Sequence, residues 1–114
     1  VPSILSVGID AELLHRRRRW LEETGAKVIS ASPPEAFVLL PRARIDLLIL
    51  CHTVSDDWVG ALTSLLREQH RNAWALVLGR RHRQLAEEEA RIVVLMEFAA
   101  QNLLVGTAQM LLHG

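Results

Sequence analysis

The sequence predicts a three-layer α/β domain, a five-stranded parallel sheet of strand order 2-1-3-4-5 wound on both faces by helices. Three observations predict it. Short apolar runs alternate with amphipathic stretches along the chain, and strands alternating with helices form βαβ units with right-handed crossovers. The run Ile45 to Cys51 is apolar on both faces after Asp46, which suits a central strand covered on both sides. The length of 114 residues suits one domain, and no internal repeat, linker or low-complexity stretch divides it.

Each element has a local reason. Ile4 to Val7, closed by Gly8, is the first strand. Asp10 is placed to cap a helix from about Ala11 to Thr24, and Gly25 to stop it. Lys27 to Ala31 is the second strand. Ser32-Pro33-Pro34-Glu35 opens a helix that runs to about Leu40, with Ser32 as cap, proline tolerated in the first turn and Pro41 closing the end. Ile45 to Cys51 is the third strand. Ser55-Asp56-Asp57 caps a helix from about Trp58 to Gln69, and Ala75 to Leu78 is the fourth strand. Gln84 to Arg91 reads as a short polar helix and Ile92 to Leu95 as the fifth strand. The alternative is one long helix from Gln84 to Glu97, which the β-branched Ile92, Val93 and Val94 oppose. Ala100 to Leu112 is the final helix, with Leu103, Leu104, Thr107, Ala108 and Leu111 on one side.

Composition narrows the function classes. Half of the residues are hydrophobic and 23% are charged, which excludes disorder. Basic and acidic residues balance at 13 each, which argues against direct nucleic-acid binding. No apolar run approaches the ~18 residues of a membrane helix, and no signal peptide is visible. Cys51 is the only cysteine, so no internal disulfide is available and a cytoplasmic setting is expected. No phosphate-binding glycine loop, dinucleotide fingerprint, zinc-protease motif or serine-nucleophile motif is present, and the histidines lack metal spacing. No enzymatic activity, metal or cofactor is expected.

The order and spacing of four segments carry a family resemblance. They are Ile4-Leu5-Ser6-Val7, Leu13-Leu14 through Trp20-Leu21-Glu22-Glu23-Thr24-Gly25, Val28-Ile29-Ser30-Ala31, and Ile45-Asp46-Leu47-Leu48-Ile49-Leu50. Together they resemble the receiver domain of bacterial two-component response regulators, a flavodoxin-like fold. The resemblance covers about 1–79 without a gap and resumes at about 92–112. The stretch between Gly79 and Met96 is shorter than the family's, which implies a shortened or remodelled helix before the fifth strand.

The resemblance also implies where the switch chemistry would lie. The acidic pair that holds Mg²⁺ falls on Gly8 and Ile9, and the phosphate-accepting aspartate on Cys51. The hydroxyl residue after the fourth strand falls on Gly79. The lysine falls on Met96, with Glu97 at the following proline and Phe98 at the aromatic. Lys27, on the second strand, is the only lysine, so no other alignment supplies one. Mg²⁺ takes hard oxygen ligands, which glycine and isoleucine lack and a thiolate replaces poorly. Aspartyl phosphorylation needs the metal and a cation to offset developing charge. The scaffold is expected without its chemistry.

Several side chains carry two readings. Cys51 is either a small buried hydrophobe or a redox or nucleophilic thiol, the latter needing a nearby cation or helix N-terminus. His52 follows it, but neighbours on a strand face opposite sides. Arg16 to Arg19 spread around their helix, whose apolar face is defined by Leu13, Trp20 and Thr24 with Arg17 inside it. Receivers usually carry an apolar residue at Arg17. Either its stem lies on the core and its head snorkels outward, or it meets a partner's carboxylate. Arg80-Arg81-His82-Arg83 is a solvated loop, an interaction surface, or an anion site at the same sheet edge as Cys51, and it could instead pair with Glu87 to Glu89. Trp58 packs on the core or serves as an interface anchor. Phe98, Leu104 and Leu111 are further interface candidates, since the last helix is apolar on more than one face.

The function expected is a phosphorylation-independent receiver module in bacterial signal transduction. It would act through a protein partner or self-association. The alternative is a small-ligand or anion sensor using Asp10, Cys51, Arg80 and Arg81, or a redox switch at Cys51. The close of the chain at Gly114, just after the last helix, is expected of a domain cut from a longer regulator with a DNA-binding or enzymatic output domain, though a stand-alone protein is also consistent.

Overall fold

A computed structural model describes residues 1–78, 91–95 and 101–113. The elements run β1 (Ser3–Val7), α1 (Ala11–Glu22), β2 (Lys27–Ala31), α2 (Pro33–Leu39), β3 (Leu47–Leu50), α3 (Asp56–Gln69), β4 (Trp74–Leu78), β5 (Ile92–Leu95) and α4 (Gln101–His113). The sheet is five-stranded and parallel, ordered β2-β1-β3-β4-β5, as the alternation predicts. Its centre is the all-buried Leu47–Leu50 run, flanked by β1 and β4.

The caps act at the chosen residues. Asp10 Oδ1 accepts from the backbone N–H of Glu12 and Leu13. Ser32 and Glu35 form a reciprocal capping box, with the prolines in the first turn of α2. The Ser55 hydroxyl accepts from the N–H of Trp58. Gly25 sits at φ 86°, the left-handed region glycine enters without penalty, and ends the turn after α1.

Several boundaries differ from expectation. Helix α1 ends at Glu22, because Thr24 and Gly25 bond back three residues, to Leu21 and Glu22, in a tightened last turn. Strand β3 is shorter than Ile45 to Cys51. Asp46 turns its carboxylate onto the Ser3 N–H at 2.8 Å, and the Cys51 carbonyl accepts from Val54 as the chain bends away. Helix α3 begins at Asp56, so both aspartates lie inside its first turn. The strand at Ile92–Leu95 excludes one long helix from Gln84 to Glu97. The expected short helix from Gln84 to Arg91 lies outside the described residues, apart from Arg91 itself.

Two apolar cores lie on opposite faces of the sheet. On one, Ala36 and Leu40 from the α2 segment and Val59, Leu62 and Leu66 from α3 cover Leu5, Val7, Leu48 and Leu50. On the other, Leu21 of α1 and Leu104 and Ala108 of α4 cover Ile4, Val28, Leu47 and Ile49. The alternation of strand side chains divides the residues between the faces. The face that α1 turns inward is Leu14, Arg17 and Leu21, a helical stripe that continues through the buried Thr24. Leu13 and Trp20, expected at its centre, are only partly buried at its flanks.

Candidate functional site

The carboxyl ends of the central strands, where doubly wound sheets place their ligands, bring Gly8 and Ile9 together with Cys51. The Cys51 N–H donates to the Val7 carbonyl at 2.9 Å, and the Gly8 N–H to the Ala31 carbonyl at 3.1 Å. Ile9 donates its N–H to Thr53 Oγ1, while its side chain is exposed. Gly8 is a point of close approach. A Cβ there would stand 3.0 Å from Cys51 Cβ, 3.3 Å from Leu14 Cδ2 and 3.4 Å from Thr53 Oγ1.

The defining contact of the site is a buried one. Arg17 is 4% exposed, Cys51 is 2% exposed, and Arg17 Nη1 donates to Cys51 Sγ at 2.9 Å. This corrects both readings of Arg17. It neither snorkels to solvent nor faces a partner, because its position in the inward stripe of α1 aims the side chain at the sheet edge. The orientation expected of His52 is also corrected. Cys51 lies beyond the last residue of β3, so strand alternation does not separate the pair, and His52 Nδ1 comes to 3.6 Å from Cys51 Sγ.

A guanidinium keeps its charge in proteins, and a buried charge is costly unless partnered. At this site it is held by sulfur, a weak acceptor, and no described ion pair includes Arg17. The arrangement therefore places a fixed positive charge where a sheet-edge ligand would sit. Gly8 and Ile9 contribute no side-chain oxygen to hold a metal. Among the described residues no group of three or more His, Cys, Asp or Glu side chains gathers as a metal site.

The other expected site residues separate. Asp10 is committed to capping α1. Leu104 is fully buried in the core, so it is not a surface contact, because α4 turns it onto β3 and β4 residues. Leu111 is partly buried beside it. Trp58 is partly buried and meets Phe37 edge-on, with ring centroids 6.1 Å apart. Phe37 and the neighbouring Val38 remain 44% and 52% exposed. Gly79, Arg80, Arg81, Met96 and Phe98 lie outside the described residues.

Sequence reasoning found the position of Cys51 and the anomaly of Arg17 but did not join them. The available signal was spacing. Arg17 falls three residues after Leu14 and four before Leu21, so it shares their inward stripe.

Among solved structures, the chain is similar to a CheY-like response regulator receiver domain protein from Methanospirillum hungatei, at 16% identity and a TM-score of 0.82, over 98% of this chain and 94% of that one. It is similar to the receiver domain of a Francisella response regulator at 18% identity and a TM-score of 0.79, over 98% and 97%. A response regulator receiver protein from Sinorhizobium medicae is 20% identical with a TM-score of 0.78, over 100% and 96%. At these identities the likeness is one of fold, and it extends over essentially the whole of each chain. No protein-family model matches the sequence, and no curated protein matches it.

Proposed function

We propose that this chain, whose fold is that of response regulator receivers, is a phosphorylation-independent signalling module that acts through protein contacts. The observation that carries the reading is the buried Arg17–Cys51 contact. The resemblance puts the phosphate acceptor at Cys51, and a guanidinium already stands 2.9 Å from that side chain. A divalent cation entering there meets like charge at short range in a partly desolvated setting. It also finds no carboxylate from Gly8 or Ile9. The cation that activation normally brings from solution is replaced by one fixed to α1.

With no chemical event at the sheet edge, the output is a change of partner or of self-association. Among the described residues, the half-exposed Phe37 and Val38 beside Trp58 form the surface best suited to such a contact.

The test is a titration with Mg²⁺ and beryllofluoride, followed by amide NMR, on the native protein and on Cys51→Asp. No saturable shift is expected in either, since Arg17 pairs with the restored carboxylate. Saturable shifts clustered at Gly8 and residue 51 would overturn the reading. Sedimentation then checks the contact. A concentration-dependent dimer lost in Val38→Glu is expected, and a strict monomer that retains no partner in pulldowns contradicts it.

A further inference from the structure

A second opening lies on the other side of β1 from Cys51. It is a cleft of about 330 Å³ between the first turns of α1, the end of β2 and the start of α2. That volume lies at the small end of the range for small-molecule sites. Gly8 and Ile9 of the sheet edge also line it, and its polar groups are His15 and Arg18 from α1, Ser30 from β2, and Ser32 and Glu35 at the start of α2.

One atom beside this cleft, on the lining residue Ser30, is unexplained by the fold. Ser30 Oγ is buried and has no hydrogen-bond partner, and it is the one such side-chain atom among the described residues. A buried hydroxyl without a partner is costly, and such groups in native proteins commonly mark a bound water or ligand. The charged groups around it keep bonding capacity. Arg18 meets Glu22 through Nε at 3.2 Å, which leaves its terminal nitrogens to a ligand. Glu35 accepts the Ser32 N–H at Oε1, which leaves Oε2. The Ser32 hydroxyl accepts from the Glu35 N–H and keeps its own proton to donate.

We infer that this cleft binds a small zwitterion, an α-amino acid with a short neutral side chain. The cleft offers a guanidinium and an imidazole from α1 and a carboxylate from α2, so its charge is divided and not of one sign. A carboxylate on the ligand meets Arg18 and His15, an ammonium meets Glu35, and Ser30 gains its missing partner by turning its shielded hydroxyl toward the cleft. A phosphate or a simple carboxylate would gain the first interaction and be opposed by Glu35. A simple amine would gain the second and be opposed by Arg18. The inference does not rest on the contact reading above, since it uses neither Arg17 nor Cys51.

The experiment is an amide NMR titration of the native protein with glycine, L-alanine and L-serine, each run beside propionate, ethylamine and inorganic phosphate. Saturable shifts at His15, Ser30 and Glu35 are expected with at least one amino acid, at least about tenfold tighter than with any single-charge probe. Ser30→Ala and Arg18→Gln should each weaken that binding by about five- to tenfold. Both variants should fold, since Ser30 Oγ makes no hydrogen bond and Arg18 is half exposed. Three results would each overturn the proposal. They are no saturation by any of the amino acids up to about 50 mM, equal binding of propionate or phosphate, and shifts that are unchanged in Ser30→Ala.

Discussion

The contact between Arg17 and Cys51 makes a prediction whose sign opposes the usual rule for core substitutions. Arg17→Leu removes a side chain that is 4% exposed, from the inward stripe that Leu14 and Leu21 share. Truncating a buried residue normally destabilises. Here the residue removed is a charge whose desolvation costs several kcal/mol and whose described partner is a thiol. Leucine restores an apolar side chain to an apolar stripe and leaves no charge behind. Replacing buried ionic groups with apolar ones is often neutral or stabilising by ~1–4 kcal/mol. Stability of Arg17→Leu is therefore expected to be unchanged or up to ~2 kcal/mol higher, because leucine does not fill all of the space the arginine leaves.

Cys51→Ala should do the reverse. It deprives the guanidinium of an acceptor and costs about 1–3 kcal/mol. That corresponds to a fall in Tm of about 4 °C per kcal/mol for a domain of this size. In the Arg17→Leu background the same change loses only the burial of a small side chain. A double-mutant cycle by urea unfolding should thus give a coupling of about 1–2 kcal/mol between the two positions. If Arg17→Leu lowers stability by more than ~1 kcal/mol and Cys51→Ala costs the same in both backgrounds, the thiol does not hold the guanidinium and the reasoning fails.

Three further outcomes are expected. Gly8→Asp drives a Cβ to 3.0 Å from Cys51 Cβ, so this substitution should destabilise by about 1–3 kcal/mol, measured as a lower urea midpoint with an unchanged slope. Gly60 lies inside α3 with open space around its would-be Cβ, so Gly60→Ala should raise Tm, with a gain of ~0.5–1 kcal/mol. The Ser32 N–H, and then its hydroxyl, hold the Glu35 carboxyl below the ordinary glutamate range. A depressed carboxyl stabilises the fold above its unfolded value and loses that contribution as pH falls through the folded one. The Tm difference between the native protein and Glu35→Gln should be present at neutral pH and shrink as the pH falls below the ordinary glutamate range.

The sheet order and the caps were legible because each rests on short-range chemistry. Asp10, Ser32 and Ser55 act on N–H groups two or three residues away, and Gly25 acts on its own backbone. The ends of β3 were not legible. They are set by the Asp46 carboxylate reaching Ser3, 43 positions earlier in the chain, and by the bend at Val54. The site was legible by position and not by contact. Gly8, Ile9 and Cys51 could be placed by counting, but the bond to Arg17 joins groups 34 positions apart. The amphipathic reading of α1 placed Arg17 inside the apolar face but centred that face on Leu13 and Trp20, about one residue from the observed stripe of Leu14, Arg17 and Leu21. Nor could a sequence show that Ser30 Oγ is left without a partner, since that depends on what every neighbour fails to reach.

The sheet separates two apolar interiors with a layer of peptide backbone. Perturbations confined to opposite sides of such a wall have no shared side chains, and their free energies should simply sum. Leu21→Ala and Leu62→Ala are such a pair. Arg17 breaks this independence. It belongs to α1, on one side, yet its bond ends at Cys51, a member of the interior on the other. That link passes over the rim of the wall and not through it. A tilt of α1 that leaves its own packing intact would still be felt at the loop leading into α3. The helix that carries His15 and Arg18 on its outer side is thus mechanically tied to the far half of the molecule. Native-state hydrogen exchange would show this as α3 amides that lose protection when only α1 is disturbed.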